Sequence, residues 1–443
     1  MRAILATAVV ALAAGVAYVG GPSKVGFALL NVYRQVNLKY LTLTGRTPES
    51  EAERRIVSGE AWSDYCDALK AAGAGLVSAG APTDPFNQAE GYRYLTRLVR
   101  GSLESMLEAA DPFAPVLVSI ADGKRAAPVK LGADNPDNLY QSANLDSRET
   151  YRLHGKRGTV NYLGFGTQSG SYGEPGGLNT VMYKDAGSDF DVAADGSFSL
   201  VISATKPPAV SERNWLQLRG PEPVKALLIV RQTFLNRDAE TPADVHVERT
   251  SGPHRPSPLT PQMVDDALRS SALFVAAVPF MFARWSKGFM AHENTLPLFD
   301  QETSNKAGGD PNIRYYHSYW RLQPDEALVI SVVPPPCPHW NFQLNNHWME
   351  SLDHRYFSVH VNKHTARYRR DGSVRVVVAH QDPQLKDVTY NWIDTTSHTQ
   401  GQMLLRWVKP NVSDSQLPQP ATRIVKFADL ARELASSSSS SSS

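Results

Sequence analysis

The spacing of apolar residues divides the chain into helical and strand segments. In the first part, apolar residues return every three or four positions, as they do on the buried face of a helix. Two such stripes comprise Trp62, Tyr65, Cys66 and Leu69, then Leu95, Leu98, Val99, Leu103, Met106 and Leu107. This spacing predicts a helical N-terminal region at residues 23–115.

The ends of these helices have sequence markers of their own. Thr47 followed by Pro48 predicts an N-cap and a first helical residue. Gly73 predicts the end of the helix that carries the first stripe. Asn87 and Glu90 have the spacing of a capping box, which predicts the start of the next helix.

From about Asn135 the apolar period becomes two, which is typical of strands. The segment "SFSLVIS" at 197–203 alternates, and "ALLIVRQTF" at 226–234 is an apolar run rich in β-branched residues. The same signals return later in "EALVISVV", "YFSVHV", "RVVVAH" and "QMLLRWV". We therefore predict two β-modules, at residues 130–250 and 308–412.

A helical pattern separates the two β-modules. The stretch 260–285 begins with Thr260 and Pro261 and contains an apolar core at 272–282 that includes Pro279. This core is too short to cross a bilayer, so the pattern favours a kinked, buried helix over membrane insertion. We assign residues 258–300 to a helical insertion.

The two β-modules share a series of short motifs in the same order. Asp195-Gly-Ser recurs at Asp371, and Asn214-Trp recurs at Asn391; "NPDNLY", "YRL" and "LLIVR" of the first module match "DPNIRY", "WRL" and "MLLRW" of the second. Matches in register indicate two copies of one module. Asp-Gly fits a hairpin turn because glycine tolerates a positive φ. The Asn-Trp motif is predicted to enter the last strand of each module, where the Trp seals the edge of the sandwich with its N–H bonded and the Asn bonds to turn backbone. These residues therefore favour scaffold roles over catalysis.

The second copy resembles a known family of unknown function, DUF1214. The string "YRRDGSVRVVVAHQDP" followed by "NWIDTTSHTQGQMLLRWVKP" is similar to its C-terminal signature. The matching residues are Asp371, Gly372, Asn391, Trp392, Leu405 and Arg406, whereas Asp394 and Trp407 depart from the pattern. Members often carry a preceding DUF1254 domain. The resemblance implies tandem jelly-roll-like β-sandwiches and supplies no catalytic residues. The fold class predicted here is mainly β with helical additions: two tandem related β-sandwich modules, an N-terminal helical region and a helical insertion.

Composition excludes several classes of function. The 45 Lys and Arg residues balance 44 Asp and Glu residues without a run of like charge, so we expect no nucleic-acid partner. Neither GxSxG, HExxH, GxGxxG nor a Walker pattern occurs, so we predict no cofactor and no metal.

The two ends of the chain have distinct compositions. Residues 1–22 combine Arg2 with an Ala-rich apolar run, which predicts a secretory signal or signal anchor and a secreted, periplasmic or membrane-anchored protein. The alternative is a buried N-terminal helix. Residues 436–443 are all serine and predict a disordered tail. Edge strands of such modules also make a homo-oligomer plausible.

Histidines concentrate in the second module, which holds eight of the 12. The stretch 345–364 supplies the candidate catalytic residues, namely His347, Glu350, Asp353, His360 and His364. On a strand, His360 and His364 would point to one face, and His347 with Glu350 could reach them from a neighbouring strand. Imidazoles beside a carboxylate suit acid–base chemistry; hydrogen-bonding histidines on a polar sheet face are the alternative.

Aromatic residues are also enriched in the second module. The candidate ligand-binding residues are Tyr315, Tyr316, Trp320, Trp340, Trp348 and Arg406. They would line a concave site for a small lipophilic or glycan ligand, although packing in a sandwich core explains the same enrichment.

Two functions are consistent with these patterns. The first is an envelope-associated module that binds a small lipophilic or glycan ligand or serves in assembly. The second is a hydrolase, lyase or isomerase that uses His and carboxylate acid–base chemistry. The enzyme hypothesis predicts a deep pocket in which His347, His360 or His364 meets a carboxylate at hydrogen-bond distance.

Overall fold

The computed structural model describes residues 41–78, 81–122, 128–170, 178–220 and 225–436, together with Val36 and Lys39. The predicted leader at 1–22 lies outside the described residues. So does the serine tail after Ser436, which is the last residue of a helix.

Three helices form the N-terminal layer: α1 (Pro48–Val57), α2 (Glu60–Ser78) and α3 (Pro85–Leu103). The predicted N-cap at Thr47 is confirmed, because its side chain accepts a hydrogen bond from the Ser50 N–H. Two predicted ends are wrong. Helix α2 continues through Gly73, and α3 begins at the N-cap Asp84, whose carboxylate accepts the Asn87 N–H at 3.0 Å. Asp84 caps the first N–H groups of α3, and Pro85 suits the first helical position because it lacks an N–H. The helix therefore begins about one turn earlier than the predicted capping box would place it.

The first module is a sandwich of two sheets. One sheet has the strand order β1-β2-β8-β4-β5 and the other β7-β6-β3-β9. The strands are β1 (Val118–Asp122), β2 (Asn138–Asp146), β3 (Tyr151–Lys156), β4 (Tyr162–Ser169), β5 (Asn179–Asp185), β6 (Ser197–Ser203), β7 (Trp215–Gln217), β8 (Lys225–Thr233) and β9 (Asp244–Arg249).

The second module repeats this arrangement without a counterpart of β1 among the described residues. Its sheets have the orders β10-β16-β12-β13 and β15-β14-β11-β17. The strands are β10 (Ile313–Arg321), β11 (Glu326–Val332), β12 (His339–Asn345), β13 (His360–Asn362), β14 (Val374–Ala379), β15 (Asn391–Asp394), β16 (Gln400–Val408) and β17 (Ala421–Lys426). Strand β17 pairs with β11 and lies beyond residue 412, where the sequence pattern placed the end of the module.

The repeated motifs perform the same local task in both modules. Gly196 and Gly372 have φ of 81° and 79°, and a Cβ at either would meet no atom within 4 Å. The preceding Asp195 and Asp371 each accept the N–H of the residue two positions on at 3.0 Å. The predicted Asp-Gly turns are therefore confirmed.

The Asn-Trp motifs lie at sheet edges. They enter the short parallel edge strands β7 and β15 rather than the last strand of each module, which corrects the sequence interpretation. The indole N–H of Trp215 donates to Ser203 Oγ at 3.0 Å, and that of Trp392 donates to the Ala379 carbonyl at 3.1 Å. Both indoles thus have the partner that the sequence predicted.

A long helix, α4 (Pro261–Met290), connects the two modules and continues through Pro279. It packs on α1, α2, α3 and β10, and Val275, Val278 and Phe282 are buried in the cluster that joins the helices to the second module. By length and composition alone α4 could cross a membrane, but a core helix of a soluble protein passes the same test. The short helices α5 (Gln301–Lys306) and α6 (Leu430–Ser436) complete the described fold.

Candidate functional site

The two modules meet through exchanged segments. The segment that leads into β2, residues 133–137, lies on the outer face of the sheet that contains β16. There the guanidinium of Arg406 donates to the Ala133 carbonyl at 2.6 Å. The segment that leads into β10, residues 308–312, lies on the sheet that contains β8, where Arg231 donates to the Gly308 carbonyl at 2.7 Å. We call this contact region the module junction, with the Arg406 side as its first half and the Arg231 side as its second half.

The two halves of the module junction contain equivalent hydrogen bonds. Asn135 and Asp310 each accept, through Oδ1, the N–H of the residue two positions on at 2.9 Å. Their own N–H groups donate to the hydroxyls of Tyr140 (3.3 Å) and Tyr315 (3.4 Å). These tyrosines lie directly opposite the two arginines in the strand pairs. The junction therefore has an internal pseudo-twofold symmetry.

The first half of the junction contains a carboxylate between two imidazoles. Asp137 Oδ1 lies 3.2 Å from His360 Nε2, and Asp137 Oδ2 lies 3.3 Å from His339 Nε2. Asp137 and His339 are buried, whereas the His360 side chain is 21% exposed. The amide of Asn362 also donates to Asp137 Oδ1 at 2.9 Å. This group has one end in the protein interior and the other at the surface.

Several atoms of this group lack hydrogen-bond partners among the described residues. They are Asp137 Oδ2, both ring nitrogens of His339, and Nδ1 of His360. Both imidazoles approach Asp137 at ion-pair distances, and neither contact has the geometry of a ring N–H hydrogen bond. Unsatisfied buried polar atoms are uncommon in folded proteins, so this concentration of them needs an explanation other than stability.

The buried groups hold defined charges. Burial would raise the pKa of the Asp137 carboxyl, but the neighbouring His360 and His339 imidazoles keep that pKa below its usual range. Burial lowers the pKa of His339 to about 4, so this imidazole is neutral at physiological pH. Burial, His360 and two cations lower the pKa of His354 to about 3, and its ring contacts that of His360 with centroids 5.7 Å apart.

The second half of the junction holds different side chains at the equivalent positions. By strand register, Tyr162 takes the place of His339 and Tyr183 that of His360, while Asn312 replaces Asp137. Tyr162 donates to Asp310 Oδ2 at 2.9 Å, and the Asn312 amide donates to Tyr162 Oη at 3.3 Å. Burial raises the pKa values of Asp310 and Tyr162. Equivalent backbone positions thus hold a His–Asp–His group in the first half and a Tyr–Asn–Tyr group in the second.

The predicted catalytic candidates separate into two places. His360 joins Asp137, and His364 lies near it at the surface, with Nε2 3.3 Å from the amide of Asn236. His347 is buried elsewhere, with Nδ1 3.0 Å from Tyr319 Oη, and burial lowers its pKa to about 4.

The two carboxylates of the candidate set have cationic partners of their own. Glu350 is buried against Arg97 of α3, and burial raises the pKa of its carboxyl. Asp353 pairs with Arg355, whose hydrogen bonds lower the pKa of Asp353 to about 2. His347 and Glu350 therefore do not reach His360, because the loop that carries them turns toward the helical layer.

The aromatic candidates are mostly core residues. Tyr316, Trp320 and Trp340 belong to the core of the second module, and Trp348 is buried against the helices. Tyr315 and Arg406 lie at the junction, where the guanidinium carbon is 5.8 Å from the Tyr315 ring centroid. Trp340 also reaches a surface groove.

Two open grooves flank the proline-rich segment 334–338. One has a volume of about 620 Å³, and its lining includes Asn312, Arg314 and Lys409. The other, of about 440 Å³, is lined by Trp340, Tyr368, Lys363 and prolines. Neither groove includes a candidate histidine, so the deep pocket that the enzyme hypothesis required is not found there. Within the described ranges, no group of three or more His, Cys, Asp or Glu residues is arranged to hold a metal ion.

Sequence reasoning missed Asp137 because this residue belongs to the other module. One signal could have found it. The lead-in of the first module reads Asn135-Pro-Asp137, and that of the second reads Asp310-Pro-Asn312, so the acidic residue and the amide have exchanged positions. The pair of aligned motifs already contained this difference.

A family model and two solved structures match this chain. The family model described as "Protein of unknown function (DUF1214)" matches residues 140–231 and 324–412. The crystal structure of an uncharacterised protein from Burkholderia cenocepacia is 44% identical, covering 85% of this chain and 99% of that one, with a TM-score of 0.77. A protein from Vibrio parahaemolyticus, 12% identical, gives a TM-score of 0.44 over 76% of this chain and 98% of that one. A search of the curated proteins gave no match. With the signature of each copy now placed on equivalent strands of a duplicated sandwich, the chain belongs to the DUF1214 family.

Proposed function

We propose that this protein is an enzyme that moves a proton on a small molecule at the first half of the module junction. His360 is the general base, and Asp137 orients it. The reaction class is that of a hydrolase, lyase or isomerase with acid–base chemistry. The observation that carries the proposal is the difference between the two halves of the junction.

The second half shows what the scaffold alone requires. There, Tyr162 and Asn312 close the same contact through hydrogen bonds to each other and to Asp310. Among the described residues, the second half leaves one buried polar atom of its group without a partner, Tyr183 Oη, whereas the first half leaves four, on Asp137, His339 and His360. Each such atom costs on the order of 1–3 kcal/mol. A group that leaves more polar atoms unsatisfied than the alternative at the equivalent positions is better explained by chemistry.

The geometry of the group suits a general base. In the neutral ring, an Nε2–H directed at Asp137 Oδ1 leaves the lone pair on Nδ1. Nδ1 of His360 is buried and has no partner among the described residues, while 21% of the His360 side chain is exposed, so the proposal requires the ring to move for a substrate to reach Nδ1. A carboxylate that fixes the tautomer and stabilises the imidazolium is the same arrangement that activates imidazoles in many hydrolases.

The proposed activity can be tested before its substrate is identified. A cell extract of the host would be incubated with the wild-type protein, with H360Q and with D137N, and small molecules would be compared by mass spectrometry. We expect at least one compound to change with the wild-type protein and to stay constant with both variants. Y183F is the matched control from the second half, because it alters the residue equivalent to His360 and keeps the ring in place.

The result that would refute the proposal is an identical set of conversions for the wild-type protein and H360Q, with both folded by circular dichroism. Metal analysis of the same sample separates this proposal from metal chemistry, since a bound zinc or iron near one equivalent would call for a different mechanism.

A second candidate function is ligand binding at the smaller groove. Trp340 donates its indole N–H to Tyr368 Oη at 3.2 Å, so an aromatic wall faces Lys363 and the prolines across about 440 Å³. This lining suits a small lipophilic or glycan ligand. Native mass spectrometry of protein purified from its host would retain such a ligand, and W340A would lose it. Location at the cell envelope and homo-oligomer formation belong to this candidate, and attaching residues 1–22 to a reporter would test export.

A further inference from the structure

Two histidines lie side by side on the solvent face of the first module. His154 of β3 and His246 of β9 are directly opposite each other in the antiparallel register. Their rings are stacked, with centroids 5.6 Å apart and planes inclined by 28°. The two side chains are 30% and 59% exposed. We call His154 and His246 the surface histidine pair; neither residue belongs to the module junction.

A carboxylate approaches each ring of the surface histidine pair at the same nitrogen. His246 Nε2 lies 3.0 Å from Asp244 Oδ2, and His154 Nε2 lies 3.6 Å from Glu248 Oε1. A carboxylate next to Nε2 favours the tautomer with its proton there, which leaves the lone pair on Nδ1. Neither Nδ1 makes a hydrogen bond in the described part of the chain. Imidazoles that bind metal ions commonly have such a carboxylate on their other nitrogen.

The spacing of the two rings suits a shared metal ion. An ion about 2.0–2.1 Å from an imidazole nitrogen lies about 3.2 Å from the ring centre, so a tetrahedral angle places two such centres about 5.2 Å apart. An angle of about 120° places them about 5.6 Å apart, which is the distance observed. Because both side chains are exposed, each ring can turn about its Cβ–Cγ bond until the two Nδ1 atoms point to one ion.

The second module shows that the scaffold does not require these imidazoles. Counted from the two Asp-Gly turns, Ser331 is the counterpart of His154, and Ala421 lies opposite Ser331 in the strand pair. Helix α6 packs on that sheet through Leu430 and Leu434. The first module instead holds two imidazoles at the equivalent positions and leaves them accessible to solvent.

We propose that His154 and His246 bind a divalent transition-metal ion through their Nδ1 atoms. Imidazole suits Ni²⁺, Cu²⁺ and Zn²⁺, whereas Mg²⁺ and Ca²⁺ prefer oxygen ligands. Asp244 and Glu248 orient the rings from the other nitrogen. The described residues offer no set of three or more ligands for the ion, so water fills the remaining positions and the ion exchanges readily. This site is separate from the proposed reaction at the module junction, which uses no metal.

The test is titration calorimetry of tag-free, metal-stripped protein with NiCl₂, ZnCl₂ and MgCl₂ at neutral pH. We expect the wild-type protein to bind Ni²⁺ and Zn²⁺, and H154A and H246A each to bind them at least about tenfold more weakly. Mg²⁺ should not bind. Both substituted residues reach the surface, so the fold should persist, and circular dichroism would check it. H292A removes another exposed histidine and is the matched control, with wild-type affinity expected.

Electron paramagnetic resonance of added Cu²⁺ would count the ligands directly. Two imidazole nitrogens in the wild-type spectrum, reduced to one in H154A and in H246A, would support the inference. Equal affinity of the wild-type protein and the double variant H154A/H246A for Ni²⁺ and Zn²⁺ would overturn it, because the bound metal would then lie elsewhere in the protein. The same double variant shows whether any metal that is found in purified protein belongs to this pair or to the surroundings of His360.

Discussion

Asp137 of the first module lies 3.2 Å from the Nε2 atom of His360 in the second module. Neither module contains both members of this pair. The proposed general base and the residue proposed to orient it therefore come together only when the two modules are assembled in one chain.

We expect D137N to reduce turnover about 10²- to 10⁴-fold while the protein stays folded. Asparagine can present its NH₂ group to His360 Nε2, which favours the tautomer with the proton on Nδ1 and removes the basic lone pair. Nitrogen chemical shifts of labelled histidine would report this change of tautomer directly. The expected behaviour of the conservative variant D137E is partial turnover, and wild-type turnover in D137N would contradict an orienting role.

Stability should fall in mildly acidic solution because several histidines are buried in the neutral form. Burial lowers the pKa of His317 and His354 to about 3 and of His339 and His347 to about 4. Each histidine of the unfolded chain takes up a proton near pH 6.5. The stabilisation is therefore complete above that pH and is lost as the pH falls to about 4 for His339 and His347 and to about 3 for His317 and His354. For one such histidine the loss is roughly 2 kcal/mol at about pH 5.

One substitution should weaken this pH dependence selectively. His317 stacks on Phe289 with ring centroids 5.1 Å apart, and its Nδ1 has no partner in the described part of the chain. H317F should therefore remove one histidine's share of the acid loss and change the free energy of unfolding at pH 7 by less than about 1.5 kcal/mol. Urea unfolding at pH 7 and pH 5 would measure both quantities. A pH slope equal to that of the wild type would show that His317 is not a source of the loss.

The ion pair between Arg97 and Glu350 should be worth more than an exposed pair on the same helix. Glu350 is 1% exposed and Arg97 18%. R97M leaves the carboxylate without its cation and should lower the free energy of unfolding by about 3 kcal/mol at pH 7. The difference should shrink at lower pH, because burial already raises the pKa of Glu350 and protonation removes the charge. R93M removes a 56% exposed partner of Glu90 and should cost about 0.5 kcal/mol.

Gly164 is required by the packing of the second half of the junction. A Cβ at this position would lie 2.0 Å from Tyr183 Oη and 2.6 Å from Cζ of the same ring. G164A should therefore destabilise the protein by about 1–3 kcal/mol, and the second substitution Y183A should relieve the clash. Alanine at Gly288 of α4 meets no atom within 4 Å and should be neutral or slightly stabilising. Thermal unfolding of the three variants would decide; equal melting temperatures for G164A and G288A would contradict the packing argument.

The sequence correctly predicted features that are determined by residues adjacent in the chain. The period of two in "SFSLVIS" matches β6 at both ends, and Asp195 and Asp371 form the turns that their Asp-Gly motifs indicated. The end of α2 was predicted wrongly because Gly73 lowers helix stability without preventing continuation when the helix packs on a neighbour.

Contacts that depend on packing between the two modules could not be predicted from the spacing of residue types along the chain. His347 and His360 lie near each other in sequence, but a buried loop directs His347 to Tyr319 and leaves His360 for Asp137. Enrichment in tryptophan indicated a lined site, yet Trp320 and Trp340 are buried in the sandwich because large aromatic side chains are also the preferred filling of a core. Whether His360 or any other candidate is catalytic stays a prediction.

The exchanged lead-in segments have a consequence for how such chemistry can arise. A single module could make these contacts only with a second copy of itself, in a symmetric dimer whose two interfaces carry identical side chains. Every substitution would then appear twice, and any destabilisation by His339, His360 and Asp137 would be doubled. Joining the copies in one polypeptide removes that constraint. One interface can keep Tyr162, Tyr183 and Asn312, which stabilise the contact between the modules, while the other interface carries different side chains. Covalent linkage therefore allows one interface to stabilise the assembly and the other to change independently.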